Sequence, residues 1–399
     1  MLDTLREFRL ALLTATGFLI LGWGSPRAFA SAVDRPAAWF ADFVAHYWPT
    51  ASAFAHGNGP TDGYFYTAFF AALLLPFAAL SKTTAVHAWT GLEVASALAL
   101  LIVPAMRFSR RSAGWAFLYA LLLLASPPLW HNLRWGQVSV LLTALCLTAV
   151  ILAERGADRQ GATLLAFAAS IKLYPALLAL LFVRKREAFS RFATVTVTLL
   201  VAVPLLLVGP EQWLAFHARV SEMARQALGT WVLHDVNSQY LPHVAARLAR
   251  GVQLTPDGVA AVAQMAKVAG LALALAILVF VLAAPRFKSA SRPAEMACWL
   301  FAGLPLVVAT SWPHYFVFLP FCQVEVLARA RDAVQGLRRT AALTLAALSA
   351  LSASGVAFWA MGGHPRYAAS GLLLVADLAL LAALATLPPE PSAPPHPAA

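Results

Sequence analysis

The sequence predicts an all-α integral membrane protein, and three observations carry the prediction. Apolar residues make up 60% of the 399-residue chain and charged residues only 12%, against roughly 45–50% apolar in a soluble domain. Apolar runs long enough to cross a hydrocarbon core of about 30 Å recur along most of the length, which excludes a soluble core with one anchor. Most of the 29 Lys and Arg residues sit in short clusters between those runs. The formal net charge of +11 is therefore a topology signal and not a nucleic-acid footprint.

The elements follow in order. A first span is expected over residues 8–24. Beyond it, Ala28-Phe29-Ala30 has the small-x-small pattern of a signal-peptidase site. The apolar stretch from Phe8 to Trp23 exceeds the about 7–15 residues of a signal h-region and many spans follow, so retention of this helix is expected. Further spans are read at 86–106, 113–130, 136–153, 192–209, 258–284, 294–310, 315–330, 340–361 and 368–387. Basic clusters around Arg6, Arg107, Arg155, Arg184, Arg286 and Arg329 are assigned to the cytoplasm, leaving 25–85, 131–136, 210–257, 311–314 and 362–367 outside.

Two apolar segments break the alternation. Residues 162–183 begin and end beside cytoplasmic clusters yet carry Lys172-Leu173-Tyr174-Pro175 in the middle. A proline and a charge there predict a broken, re-entrant hairpin. Residues 64–81, with Pro76 inside, would invert the charge rule if they crossed and are read as a juxtamembrane helix on the outer surface. Residues 1–387 then form one polytopic domain with an external cap at 25–85 and a second external loop region at 210–257. The Pro/Ala-rich tail 388–399 is expected to be disordered. Cys146, Cys298 and Cys322 fall in apolar runs without paired spacing, so neither a disulfide framework nor a metal site is expected.

Polar groups worth their cost collect in five places. The first is Asp42 in Trp39-Phe40-Ala41-Asp42-Phe43-Val44-Ala45-His46-Tyr47-Trp48. Asp34, before Arg35-Pro36, suits a helix cap. Asp42 lies too far along to be one, and His46 at i+4 would share its face. The second is Asn132-Leu133-Arg134-Trp135-Gly136-Gln137, a short external turn. The third is Lys172, an ammonium in an apolar segment, costing at least about 2.5 kcal/mol on insertion scales and normally facing a partner or cavity. A lipid phosphate or a structural ion pair would meet that need. The fourth is Ser311-Trp312-Pro313-His314-Tyr315 at the outer end of a span, and the fifth His234-Asp235-Val236-Asn237-Ser238-Gln239-Tyr240. Signatures of soluble nucleotide-binding, α/β-hydrolase and zinc-protease enzymes do not occur.

Taken in order, "DFVAHYWPTASAFAHG", "YFYTAFFAALLLPFAAL", "WGQVSVLL", "AASIKLYPALLAL", "NSQYLPHVAARL" and "SWPHYFVFLPF" resemble glycosyltransferase family 87. That family is a branch of the GT-C superfamily which includes polyprenyl-phosphate-mannose-dependent α-mannosyltransferases of bacterial envelope glycolipids. The likeness covers roughly residues 34–325. It implies a polytopic bundle of about 10–13 helices with a structured first external loop, in the inner membrane with the active site on the extracytoplasmic side. It also implies a polyprenyl-phosphate-linked sugar donor, a lipid or glycan acceptor, and inverting transfer of a hexose such as mannose, with no cofactor and no nucleic acid. In such enzymes the first-loop aspartate is the proposed base, the place held here by Asp42. His314 is then a second catalytic candidate, and Lys172 and Arg134 are candidates for the donor phosphate. His46, Trp48, Tyr66, Asn132, Gln137, Asn237, Gln239 and Trp312 are candidates for substrate contact. The chain departs from the family pattern at Tyr66-Thr67-Ala68, where prolines commonly follow the tyrosine. It also departs at His314-Tyr315, where a His-His pair is common, and at Asn237-Ser238-Gln239, where an Asn-Gln-Ser-like element is found. A transporter or flippase of a lipid-linked or small solute is the competing class; it gives no role to a large cap around Asp42.

Overall fold

The computed structural model describes residues 40–229, 232, 234–284, 287, 292–333 and 336–387. The span expected at 8–24, the Ala28-Phe29-Ala30 site, Asp34, Arg286, Lys288 and the tail 388–399 lie outside the described residues. The structure is 81% helical, with no strand among the described residues.

The chain enters through a π-helical turn, Phe43–Tyr47, that runs into α1 (Trp48–Ala55). Two short helices follow, α2 (Ala68–Leu73) and α3 (Leu75–Ala78), separated because Pro76 restarts the helix. The surface helix expected over 64–81 is thus divided. Its first half is not on the surface: Ala68, Phe69, Phe70 and Ala71 are buried, since two consecutive phenylalanines gain more from packing than from an interface.

Among the described residues, three helices are long and apolar enough to cross a membrane: α4 (Lys82–Ser109), the continuous stretch 186–228, and Pro256–Ala283. A fourth is made by α5 (Ala113–Leu124) and α6 (Pro127–Trp135) if the pair, bent by 50°, counts as one span. The bend lies at Ala125-Ser126, ahead of Pro127-Pro128, and α6 makes a helix of the turn expected at 131–136. The long stretch contains α9 (Arg186–Val197), a π-helical turn, and α10 (Val203–Gly229), kinked where Gly209 takes φ 80° before Pro210. Helix therefore continues well past the predicted end at 209, taking up part of the expected loop 210–257. That loop region ends in α11 (Leu241–Gly251), and Pro256–Ala283 is α12. The other expected spans appear as helices of 11 to 16 residues: α7 (Ser139–Glu154), then α13 (Pro293–Gly303), α14 (Leu319–Asp332), α15 (Leu337–Ser352) and, after α16 (Gly355–Ala360) and α17 (Arg366–Ala369), α18 (Leu372–Thr386). Pro305, Pro313 and the Ser354-Gly355 step shorten them, turning part of each expected span into 3₁₀ turns or breaks.

The re-entrant expectation has a direct counterpart. Helix α8 (Asp158–Ile171) ends where Lys172 turns extended, with φ −144° and ψ 135°, and a 3₁₀ segment, Tyr174–Phe182, returns. Both ends meet: Lys185 Nζ lies 2.7 Å from Asp158 Oδ1 and Arg159 Nη2 2.5 Å from Glu187 Oε2. Thr67 Oγ1 donates to the Ser170 carbonyl at 2.5 Å, fixing the tip.

That paired end is part of a larger charged layer. Arg107 reaches Glu154 at 2.6 Å and Glu325 at 2.8 Å, and Arg329 reaches Glu295 at 3.2 Å. Trp89, on the same helix as Arg107, belongs to the opposite layer, about 27 Å away at 1.5 Å per residue. There it stacks on Phe43 with centroids 4.8 Å apart. The polar oddities of the sequence gather at this second end.

Candidate active site

Four breaks in regular helix converge on one cavity of about 310 Å³, at the small end of the roughly 300–1,000 Å³ typical of ligand pockets. It is lined by Asp42, His46, Tyr66, Gln137, Lys172, Asn237, Trp312 and His314 among the expected residues, and by Tyr47, His131, Trp135 and Asp235.

Asp42 enters on the π-helical turn, anchored by the Phe43–Trp89 stack and by Tyr47, which meets Tyr64, Tyr66, Phe70 and Trp89 edge to face. The wider turn matters for His46. Instead of meeting Asp42, its Nδ1 lies 2.7 Å from the Asp62 carbonyl, and a Cβ at Gly63 would come 2.4 Å from its ring.

Gln137 is delivered by the end of α6. Gly136 takes φ 66°, and a Cβ there would lie 3.0 Å from the Phe40 Cα, so glycine is required twice over. The Phe40 amide donates to the Arg134 carbonyl at 2.8 Å and Trp89 Nε1 to the Gly136 carbonyl at 3.1 Å, tying the cap to this turn. The Gln137 side-chain amide donates to Asp42 Oδ2. Because an ionised carboxylate only accepts, this leaves Oε1 toward the tyrosines, and it accepts from Tyr47 at 2.9 Å and Tyr66 at 2.6 Å. Lys172 Nζ donates to the Tyr66 hydroxyl at 3.3 Å and lies 4.5 Å from the ring centres of both Tyr66 and Tyr315. A connected polar path thus runs from Lys172 through Tyr66 and Gln137 to Asp42.

Two carboxylates face the cavity, and their partners separate them. Asp235 is occupied, accepting from Trp312 Nε1 at 2.9 Å and from the Asn237 backbone amide at 2.9 Å; it shapes its loop. Asp42 keeps acceptor capacity toward the cavity. Burial raises its carboxyl pKa to about 7, with Lys172 pulling the other way, which places a proton acceptor in the working range.

The structure does not bring every expected residue to the cavity. Asn132 is buried, donating to Glu93 Oε2 at 2.8 Å and accepting from the Val140 amide at 3.2 Å; it clamps α4, α6 and α7. Gln239 is buried too, its amide donating to the Ala368 carbonyl at 2.7 Å. Trp48 donates to the Phe77 carbonyl at 3.1 Å and packs within the cap. Arg134 is exposed and lines a neighbouring hollow of about 410 Å³ with Trp130, Trp135, Phe358 and His364. Residues that sequence reasoning missed include Glu93, hidden in an apolar helix, and His131, one position before the cluster singled out. The tyrosine ladder from Tyr47 to Tyr66 had no signal in spacing.

The model of glycosyltransferase family 87 matches residues 64–311, more than half of the chain. The chain belongs to glycosyltransferase family 87. Searches of curated proteins and of solved structures gave no match. This family 87 protein is accordingly a membrane glycosyltransferase, which uses a sugar donor and an acceptor at the membrane. Two residues at which the sequence departs from the pattern expected by resemblance have structural roles. Thr67 caps α2 by accepting from the Phe70 amide at 3.2 Å, and Tyr315 presents its ring to Lys172.

Proposed function

We propose that this family 87 glycosyltransferase moves a hexose, with mannose the leading candidate, from a polyprenyl-phosphate donor to a hydroxyl of an envelope lipid or glycan, with inversion. The observation that carries the reading is the pairing in one cavity of a carboxylate with free acceptor capacity, Asp42, and a cation, Lys172, that has no carboxylate partner among the described residues. Asp42 accepts the proton of the acceptor hydroxyl as its oxygen bonds to the anomeric carbon, an effect of about 10²–10⁴ in rate. The bond from that carbon to the phosphate oxygen breaks, and the electron pair leaves on the polyprenyl phosphate. Lys172 stabilises that charge in a partly buried site. Direct attack converts a β-linked donor into an α-linked product.

His46, Tyr66, Gln137, Asn237, Trp312 and His314 are assigned to holding the substrates. Arg134 sits outside the main cavity, which supports Lys172 as the principal phosphate contact. The cavity is assigned to the extracytoplasmic face of the inner membrane, because the arginine-rich layer around Arg107, Arg159 and Arg329 occupies the other end. Transfer of radiolabel from purified polyprenyl-phosphate hexoses into native-membrane lipids tests the reading. Incorporation that Asp42→Asn lowers at least about a hundredfold is expected; a nucleotide-sugar as the only competent donor would overturn it.

A further inference from the structure

We propose that His131 and His314 act as a pair that reads a sugar hydroxyl, offering it one hydrogen-bond donor and one acceptor. The inference rests on the assignment of the cavity to a hexose. It adds His131 to the binding residues and names what the pair recognises.

The rings come from distant parts of the chain, α6 and the 3₁₀ turn Pro313–Phe318. They stack with centroids 5.5 Å apart and an interplanar angle of 29°, and Nδ1 of one lies 3.4 Å from Nδ1 of the other. Both line the cavity. The remaining nitrogen of each, Nε2, is buried with no hydrogen-bond partner. Buried polar atoms are nearly always satisfied, so two orphans on adjacent rings that belong to the wall of one cavity point to a ligand.

Proton accounting says which ligand. A bond between two Nδ1 atoms needs one proton, so one imidazole is the Nδ1–H tautomer and its Nε2 carries a lone pair. The other accepts at Nδ1, and as a neutral ring it carries its proton on Nε2. The pair therefore presents one N–H and one lone pair. A hydroxyl, which both donates and accepts, satisfies both. A phosphodiester, which only accepts, would leave the lone pair facing an anion. An added proton would go to the free Nε2 and leave the Nδ1 contact in place, but it would set a new cation near Lys172, whose Nζ rests on the adjoining Tyr315 ring, and Arg134, one turn along α6. Trp135 lies 6.0 Å from His131 and Trp312 5.8 Å from His314, supplying apolar faces for the C–H surface of a sugar.

The test is binding, read by saturation-transfer NMR on the purified full chain with methyl hexopyranosides and their monodeoxy analogues. The wild type should lose about tenfold in affinity for one deoxy analogue, the worth of about 1.4 kcal/mol. His131→Phe keeps the ring and loses both nitrogens. It should bind the parent sugar about tenfold more weakly and lose nothing further with that analogue. His314→Phe should give the same pattern from the other element, and covers the case in which the first variant fails to fold. Dimethyl phosphate, an acceptor-only phosphodiester, should bind both variants within twofold of wild type. The inference is overturned if the variants still discriminate the deoxy analogue, if wild type binds none of the sugars or discriminates none of the analogues, or if dimethyl phosphate affinity falls tenfold. Deoxy versions of the lipid-linked donor and of the acceptor, compared by KM, then tell which substrate carries the hydroxyl. Because binding needs no turnover, an intact deoxy pattern without glycosyl transfer refutes the catalytic reading alone.

Discussion

Replacing Asp42 by Asn keeps the size and the contact with Gln137 but removes the ability to take a proton. If Asp42 is the base, turnover falls by about 10²–10⁴. The pH profile makes the assignment specific. Burial lifts the Asp42 carboxyl to about 7, so the ionised fraction, and with it kcat/KM, rises about tenfold between pH 6 and pH 8 in the wild type. The residual rate of Asp42→Asn should be flat over that range. Stability runs the other way. A carboxyl raised from 3.8 to about 7 on folding binds more protons in the folded state throughout that window, so its contribution is fully present below pH 3.8 and lost as pH rises to 7. Three pKa steps bound that loss at about 4 kcal/mol, and partial exposure reduces it to about 1–2. Thermal unfolding in detergent should therefore find Asp42→Asn more stable than wild type at pH 8, with the gap closing toward pH 4. Steady-state transfer with the lipid-linked donor, run from pH 5.5 to 8.5, is the assay. An Asn variant that keeps an acid limb near pH 7, or loses less than tenfold in rate, removes Asp42 from the mechanism.

Lys172→Met should raise the donor KM or lower kcat by at least about tenfold through loss of the phosphate's cation. It should also move the acid limb of kcat/KM upward, because Lys172 holds the Asp42 pKa down; Lys172→Arg should restore only part of either, and unchanged kinetics with altered melting would leave Lys172 a structural ion. Gln137→Met deprives ionised Asp42 of its amide donor, so the same limb should move to higher pH while KM changes little; a limb that stays put would make Gln137 a packing residue. For topology, cysteines at exposed Ala55 and Ser109 should label differently in intact cells, since the three native cysteines are buried. An impermeant maleimide should reach Ala55→Cys alone, and the reverse would turn the site to the cytoplasm.

What the sequence made legible follows from what charge and hydropathy encode. The membrane class needed only composition. The hairpin at 162–183 was readable because Lys172 and Pro175 cannot sit inside an undistorted apolar helix, and the charged clusters at its two ends pair with each other. The candidate site was legible where a polar residue was out of place: Asp42, Lys172, Gln137 and His314 all line the cavity. Asn132 and Gln239 carried the same signal for a different reason. A buried amide that satisfies backbone or Glu93 looks, in one dimension, like an amide awaiting a substrate. His131 gave no signal because its significance is a contact with a residue 183 positions away.

The misread segments share one physical cause. Expected spans assume a constant helical period, yet the site is built where that period fails. The π-helical turn at Phe43–Tyr47 separates Asp42 from His46. The left-handed Gly136 releases Gln137 from the end of α6, the extended Lys172 breaks the hairpin, and Pro313 starts the 3₁₀ turn that carries His314. An unbroken helix places its side chains on faces already committed to packing or lipid, and its backbone groups are satisfied within it. Each break frees one side chain to line the cavity, at a cost the surrounding aromatic packing offsets. The break at Pro313 also shortens a helix, as Pro305 and the Ser354-Gly355 step do elsewhere, which is why fewer helices among the described residues reach a full span's length than hydropathy alone predicts. At Pro313 the loss of span regularity and the assembly of the site coincide, and a polar residue beside a break in the helix is the better guide to the cavity than a polar residue in a predicted loop.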